Sequence, residues 1–254
     1  MIRALYTSLS GMISKEARMN SISNNLANAN TVGYKSDDLI LKSFDQVLLE
    51  NRGKKNGEAH VRNELGGLSL GVELDETYTD YNQGTLESTD SQTDLAILGD
   101  GFFTVERNGN KFYTRDGNFS VDPQGYMVNS KGDYLLGNNG NRIYVANGKI
   151  DVKDNGVLTV DNGNTKVAYN LDVVDFADKN TLVRNGDNLY SGGNPTAATK
   201  FNVKQRALEK SNVNVVNGMI EMMSVYREFE TNQKVIQTLD ETLGKSVNQL
   251  GSVR

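Results

Sequence analysis

The chain has 254 residues, 37% of them hydrophobic, with a mean hydropathy of −0.52 and a net charge of −5. That is enough chain for two modest domains, but the apolar fraction is low and argues for an elongated shape or one completed by neighbours. The acidic balance argues against nucleic acid as the main partner, and the absence of cysteine excludes a disulfide framework, a thiol nucleophile and a thiolate metal site.

The first 36 residues depart from the overall charge, with Arg3, Lys15, Arg18 and Lys35 set against Glu16 alone. A solvated helix face accounts for so short a basic segment. No apolar run here has the length of a signal-peptide core, and none anywhere approaches a membrane span. If the protein is exported, it leaves by a route that needs no cleaved signal peptide, and no direct membrane insertion is expected. Up to about residue 28 there is no proline and one glycine, Gly11. Ile2, Leu5, Leu9, Met12, Glu16, Met19, Ser23 and Leu26, spaced alternately three and four apart, form a heptad seam with two polar interruptions. The spacing predicts one amphipathic helix.

Residues 36–65 are read as a helix-exit segment followed by a flexible loop. The stretch 51–66 is polar and holds the single histidine, His60. From about 66 to 207 the composition is that of a β-domain. Glycines recur every seven or eight residues from Gly101 to Gly163, several after Asn or Asp, as in Asn108-Gly109 and Asp116-Gly117. Such pairs tolerate the positive φ of tight hairpins. Between them lie short strand-like runs: Phe102–Glu106, Lys111–Thr114, Ile143–Ala146 and Val157–Val160. A calcium-binding β-roll is set aside, because its Gly-Gly-x-Gly-x-Asp repeat is missing.

From about residue 212 the helical grammar returns. Val215, Met222, Phe229, Ile236, Leu243 and Leu250 recur at strict seven-residue intervals. Met219, Tyr226, Gln233, Asp240 and Val247 are read as the companion row, apolar at its start and polar in its middle. Residues 215–250 correspond to about 54 Å of helix. A stripe of that length must pair with something. The N-terminal helix is the candidate within the chain, and being shorter it leaves part of the stripe for another molecule.

The sequence offers little chemistry. His60 lacks the strand-to-helix setting of a catalytic elbow. Gly244-Lys245-Ser246 resembles the end of a phosphate loop, but Leu239 stands where its first glycine belongs. The stretch from Asp151 opens like an EF-hand loop, yet Lys153 and Asn162 occupy two ligand positions. No catalytic, cofactor-binding or metal-binding residue is assigned, and no cofactor is expected.

Three longer strings carry a resemblance. The first is Asn24-Asn25-Leu26-Ala27-Asn28-Ala29-Asn30-Thr31-Val32-Gly33-Tyr34-Lys35. The second runs from Asp94 through Gly101-Phe102-Phe103 to Val105 and continues in Tyr113-Thr114-Arg115-Asp116-Gly117-Asn118-Phe119. The third is Leu208-Glu209-Lys210-Ser211-Asn212-Val213-Asn214, leading into Met219–Met223 and Arg227-Glu228-Phe229-Glu230. In this order they closely resemble flagellar basal-body rod and hook proteins. Asn25, Asn28, Asn30, Thr31, Gly33, Tyr34, Lys35, Gly101, Phe102, Phe103, Asn212, Val213 and Asn214 are the positions carried over.

The resemblance implies an α+β fold, with terminal helices paired as a coiled coil and a central all-β domain of many short strands. Residues 1–35 with 208–254 would form the helical domain and 66–207 the β-domain. It implies a non-enzymatic subunit of the bacterial flagellum basal body, self-assembling helically into the rod that serves motility. Its partners would be further copies, other axial proteins of rod and hook, and the flagellar type III export apparatus. Leu5, Leu9, Met12, Met19, Leu26, Val215, Met222, Phe229, Ile236, Leu243 and Leu250 are the expected assembly interface. A secreted oligomeric module whose β-domain recognises a surface or glycan partner is the alternative, and a hydrolase with a carboxylate pair a third possibility.

Overall fold

The computed structural model describes residues 2–53, 61–146, 148–163 and 165–251. Two compact units are present. The first comprises Met1–Leu26, Asp37–Tyr78 and Val215–Arg254, and the second Ala27–Ser36 and Thr79–Asn214.

The first unit is built on two long helices, α1 (Ile2–Ala27) and α2 (Val215–Gly251). They pack antiparallel. Gly11 lies beside Asn232, Lys15 pairs with Glu228, Arg18 with Glu221, and Leu26 lies beside Gly218. Rising numbers in one helix thus meet falling numbers in the other. Glycine marks close approach at both ends of this seam. A Cβ on Gly11 would sit 3.1 Å from Asn232 Nδ2, and one on Gly218 3.5 Å from Leu26 Cγ.

The row Met222, Phe229, Ile236 and Leu243 is half-buried, as the seven-residue spacing predicts, whereas Val215 is exposed. The companion row is displaced by one residue from the expected one. Gly218, Val225, Asn232, Leu239 and Ser246 turn inward, while Met219, Tyr226, Gln233, Asp240 and Val247 are exposed. Both rows alternate spacings of three and four with the first seam. The row holding Gly218 and Asn232 permits the close contact with α1, which a row of methionine and tyrosine would block.

The stretch expected as a helix exit and flexible loop carries strands. Asp37–Ser43 pairs with Val72–Thr79, and Val47–Gly53 pairs antiparallel with Val61–Leu68, Val47 facing Leu68. In Asp37–Ser43 the side chains at 37, 39 and 41 are half-buried and those at 38, 40 and 42 exposed, which is strand alternation. The polar sequence is compatible with strands because an exposed two-stranded ribbon needs no continuous apolar face. Residues 54–60, including His60, lie outside the described set. A polar flank of α1 holds the ribbon backbone. Thr7 Oγ1 donates to Leu70 O (2.9 Å), Ser21 Oγ to Asp37 O (2.7 Å), and Asn25 exchanges two hydrogen bonds with the Asp37 backbone.

The second unit is the β-domain. Its main sheet has nine strands, with Leu189–Gly192, Asn110–Thr114, Phe102–Arg107, Tyr134–Leu135 and Met127–Asn129 as successive neighbours. A three-stranded meander, Lys149–Val152, Val157–Asp161 and Lys166–Asn170, and two short strand pairs complete it. The core is continuous, running through Leu95, Ile97, Phe103, Val105, Leu135, Ile143, Leu158 and Val203. The hairpin between Phe102–Arg107 and Asn110–Thr114 turns at Asn108-Gly109, both at positive φ. Ile143–Ala146, expected as a strand, makes only an isolated bridge at Tyr144, although Ile143 and Val145 are buried. Gly117 is demanded by close approach, since a Cβ there would lie 1.5 Å from Leu95 O. No helix among the described residues is long and apolar enough to cross a membrane.

Candidate functional site

Residues 27–35, at and after the end of α1, and 208–214, which precede α2, were expected to belong with the helices. They pack instead inside the β unit, and buried charge is the reason. Lys35, Glu209 and Arg115 are 0, 1 and 3% exposed. The Lys35 Nζ donates to Glu209 Oε1 at 2.6 Å, and Arg115 Nη1 to Glu209 Oε2 at 3.2 Å. Each of these residues comes from a different one of the three family-like strings.

Two cations against one carboxylate would leave an excess positive charge in a desolvated place. Carbonyl oxygens take up that excess. Lys35 Nζ also donates to Asn82 O (2.7 Å), and Arg115 Nη2 to Gly99 O (2.8 Å). The carboxylate gains a further donor in the Gly84 N–H at 3.0 Å, and the Arg115 guanidinium lies 5.3 Å from the Phe102 ring centroid. Burial pulls the Lys35 ammonium below its usual pKa, with the neighbouring Glu209 carboxylate acting against it. Removing one member of such a cluster leaves uncompensated charge, which in buried pairs costs about 3–5 kcal/mol.

The backbone around the cluster is equally constrained. The Gly33 N–H donates to Glu209 O at 2.7 Å. Gly33 has φ +67°, and a Cβ there would lie 2.5 Å from Asp116 N, so no other residue fits the turn. Arg184 lies over the Tyr34 ring at 4.4 Å. Asn212 bridges two strands of chain, accepting from Ser36 N–H (2.9 Å) and donating to Asp80 O (2.8 Å). Thr31 Oγ1 donates to Asn28 Oδ1 (3.2 Å), closing the turn after α1, and Asn30 is exposed beside it. Val213 N–H donates to Ser211 Oγ (3.2 Å), while Asn214 is exposed immediately before α2. Phe102 and Phe103 alternate across the sheet. Phe103 enters the main core, and Phe102 joins Tyr113, Val174, Phe176 and Tyr190 in a smaller cluster. Gly101 lets the chain pass close to Val173, since a Cβ there would lie 2.8 Å from Val173 Cγ1.

Arg115 and Glu209 sit inside strings read for resemblance, yet neither stood out as a site residue. The first string carries a single charge, Lys35, but the second and third each carry several charges, of both signs, so nothing local marks Arg115 or Glu209 as its partner.

The expected interface residues fall in the first unit. Leu5, Met12, Met19 and Leu26 are half-buried on α1, and Met222, Phe229, Ile236 and Leu243 half-buried on α2. Leu9 and Val215 are 47 and 39% exposed. The side chain of Leu250 lies outside the described set. Lys15 Nζ–Glu228 (2.5 Å) and Arg18 Nη2–Glu221 (2.5 Å) tie the helix flanks. Gly244-Lys245-Ser246 lies within α2, and 151–162 lies across a β-hairpin, so neither takes the loop geometry its motif would need. Among the described residues no group of three or more His, Asp or Glu is gathered closely enough to hold a metal ion.

Three family profiles match in chain order. Residues 5–35 match that described as "Flagella basal body rod protein", residues 96–160 "Flagellar hook protein FlgE/F/G D1 domain", and residues 204–250 "Flagellar basal body rod FlgEFG protein C-terminal". The chain is 34% identical to the flagellar hook-basal body complex protein FlhO of Bacillus subtilis, over the whole of both chains. Identity is 33% to the flagellar basal-body rod protein FlgG of Buchnera aphidicola subsp. Baizongia pistaciae, covering 96% of this chain and 98% of that one. It is 31% to the flagellar basal-body rod protein FlgF of Caulobacter vibrioides, again over the whole of both chains. On identity above 30% across essentially its full length, the chain belongs to the flagellar basal-body rod protein family.

Proposed function

We propose that this protein is a structural, non-enzymatic subunit of the flagellar basal-body rod that polymerises helically through α1 and α2. Its partners are further copies of itself and other axial proteins, and it reaches the rod through the flagellar export apparatus without a cleaved signal peptide. The observation that carries the reading is the state of the two helices. Across 26 and 37 residues, the only buried apolar side chains among those described are Ile22 and Val225. Helices this long with so little of their own burial call for neighbours, and contacts that do not close on themselves produce filaments. The buried Lys35–Glu209–Arg115 cluster complements this by joining the segment after α1 to the segment before α2 within the β unit.

The test is localisation by electron microscopy of labelled protein in purified basal bodies, with Phe229→Asp as the comparison. Label should appear on the rod for the native chain. The variant puts a charge into the helical seam and should remove rod label and motility together. Rods of normal length and label carrying Phe229→Asp would defeat the helical assembly reading, and native label elsewhere would defeat the rod assignment.

A further inference from the structure

Within the β unit, the late segment 201–212 is tied to several earlier parts of the chain at once. Phe201–Gln205 is the only strand partner, among the described residues, of Leu95–Gly99, with Val203 opposite Ile97 and Gln205 opposite Leu95. Leu95, Ala96 and Ile97 are fully buried, so without that partner the backbone groups on that side would be left unpaired away from water. Gln205 reaches further. Its Nε2 donates to Gln92 O (2.7 Å) and Ile150 O (3.0 Å), and its Oε1 accepts from the Val152 N–H at 3.2 Å. Arg206 then turns the chain at φ +58°, held by its own N–H on Asp94 O and by the Thr89 N–H on its carbonyl, both at 2.8 Å. A residue other than glycine keeps that conformation only where its surroundings fix it. Ala207–Glu209 goes on to pair with Leu86–Ser88. It ends on Glu209, the only carboxylate that Lys35 or Arg115 pairs with among the described residues.

We propose that 201–212 is a closing strap, and that the β unit holds its fold only once this segment has docked. Three losses coincide in its absence. The buried strand 95–99 lacks its partner, the core lacks Val203, and Lys35 and Arg115 lack their anion. The last is the most severe, because two desolvated cations facing only carbonyl oxygens have nothing to balance their charge. The order of residues gives the device a direction. Lys35, Arg115 and every strand of the nine-stranded sheet precede Glu209. A chain made from its N-terminus onward therefore cannot close the unit until 209 of its 254 residues exist. Closure is then a single step that joins both ends of the unit, with Glu209 as the group that makes docking obligatory. The inference goes beyond the rod reading and stands or falls separately from it, since it concerns how one copy folds.

The test is pulsed hydrogen exchange during refolding of the full chain from urea, read by mass spectrometry. Amides of 95–99, 102–107, 110–114 and 207–209 should gain protection together, with one rate constant. Glu209→Gln, which keeps an acceptor for the Gly84 N–H but removes the anion, should slow that common phase about tenfold or more, or prevent it. The triple variant Lys35→Met/Arg115→Met/Glu209→Gln removes all three charges and should refold much faster than Glu209→Gln alone, because an apolar replacement leaves no charge unbalanced. Protection of 102–107 and 110–114 in a phase earlier than 207–209 would overturn the strap, since the main sheet would then fold without it. Refolding of Glu209→Gln at the native rate would overturn the role given to its charge. A triple variant as slow as Glu209→Gln would do the same, by showing that the shape of Glu209 and not its charge is what the unit waits for.

Discussion

At the residue scale the β unit turns on a few buried ionisable groups. Glu209 is the sole anion between Lys35 and Arg115, so the partners are not equivalent. Glu209→Gln leaves two buried cations facing each other, whereas Lys35→Met leaves a balanced Arg115–Glu209 pair. We expect Glu209→Gln to cost about 3–5 kcal/mol and Lys35→Met clearly less, read by urea unfolding of the full chain. The reverse order would show that Lys35, not Glu209, is the member the cluster depends on most. Asp116 supplies a pH dependence. Burial raises its pKa from 3.8 to about 6, Asp94 adds to the rise, and the Asn118 N–H at 2.9 Å opposes it. A carboxyl with a raised folded pKa holds its proton in the fold after the unfolded chain has released it. The Asp116 contribution to stability is therefore fullest below about pH 4 and falls as pH rises to about 6. The whole penalty is on the order of 1.4–3 kcal/mol, from about 1.4 kcal/mol for each pKa unit. Asp116→Asn keeps an acceptor for Asn118 and removes the charge. It should stabilise the protein at pH 7.5 by about that amount relative to its effect at pH 4. An equal effect at both pH values would mean that the Asp116 carboxyl is not held above its ordinary range.

At the element scale, what could be read from the sequence depended on whether a signal was local. The seven-residue row through Phe229 and Ile236 survives as the inner face of α2, because periodicity alone decides which residues share a face. The second row did not follow, since Met219 and Tyr226 are more apolar than Gly218 and Asn232. Hydrophobicity pointed to one side, and the closeness of α1 at Gly11 and Gly218 selected the other. That choice is made between two helices and is invisible in either one. The strands at 37–43 and 47–53 were obscured in a similar way. Leu39 and Leu41 show the alternation, but polar neighbours on a half-exposed ribbon dilute it. The ion cluster was the least legible, because Lys35 and Glu209 are 174 positions apart and an isolated charge in a sequence reads as a solvated one. The strings that revealed the family contain all three of its charges; their convergence is a property of the fold.

For the molecule as a whole, the two units should differ in how much order each sustains alone. The β unit owns a closed core, with Leu95, Phe103, Val105, Leu135, Ile143 and Leu158 at 0% exposure. In the helices most inward side chains are only half-buried, and Tyr6, Ile13, Met219, Ile220 and Tyr226 remain more than half exposed. Ordering a residue costs roughly 1–2 kcal/mol of backbone entropy, and a fully buried Leu or Phe returns about 1.5–3 kcal/mol. Half-burial along one seam therefore holds α1 and α2 only weakly against opening, whereas the β core is well held. Local opening follows this imbalance, since segments with few buried contacts open at the lowest free energy. We expect backbone amides of 2–27 and 215–251 to exchange quickly in dilute protein and slowly in polymer, with the strands of 95–205 protected in both. The change should be largest around Met219–Tyr226 and Tyr6–Ile13, where the helices are most exposed. Hydrogen exchange followed by mass spectrometry on verified monomer and sedimented polymer resolves the segments. Protection of 215–251 in the monomer as strong as that of the β core would mean that the seam suffices alone, and that stacking adds contacts without adding order.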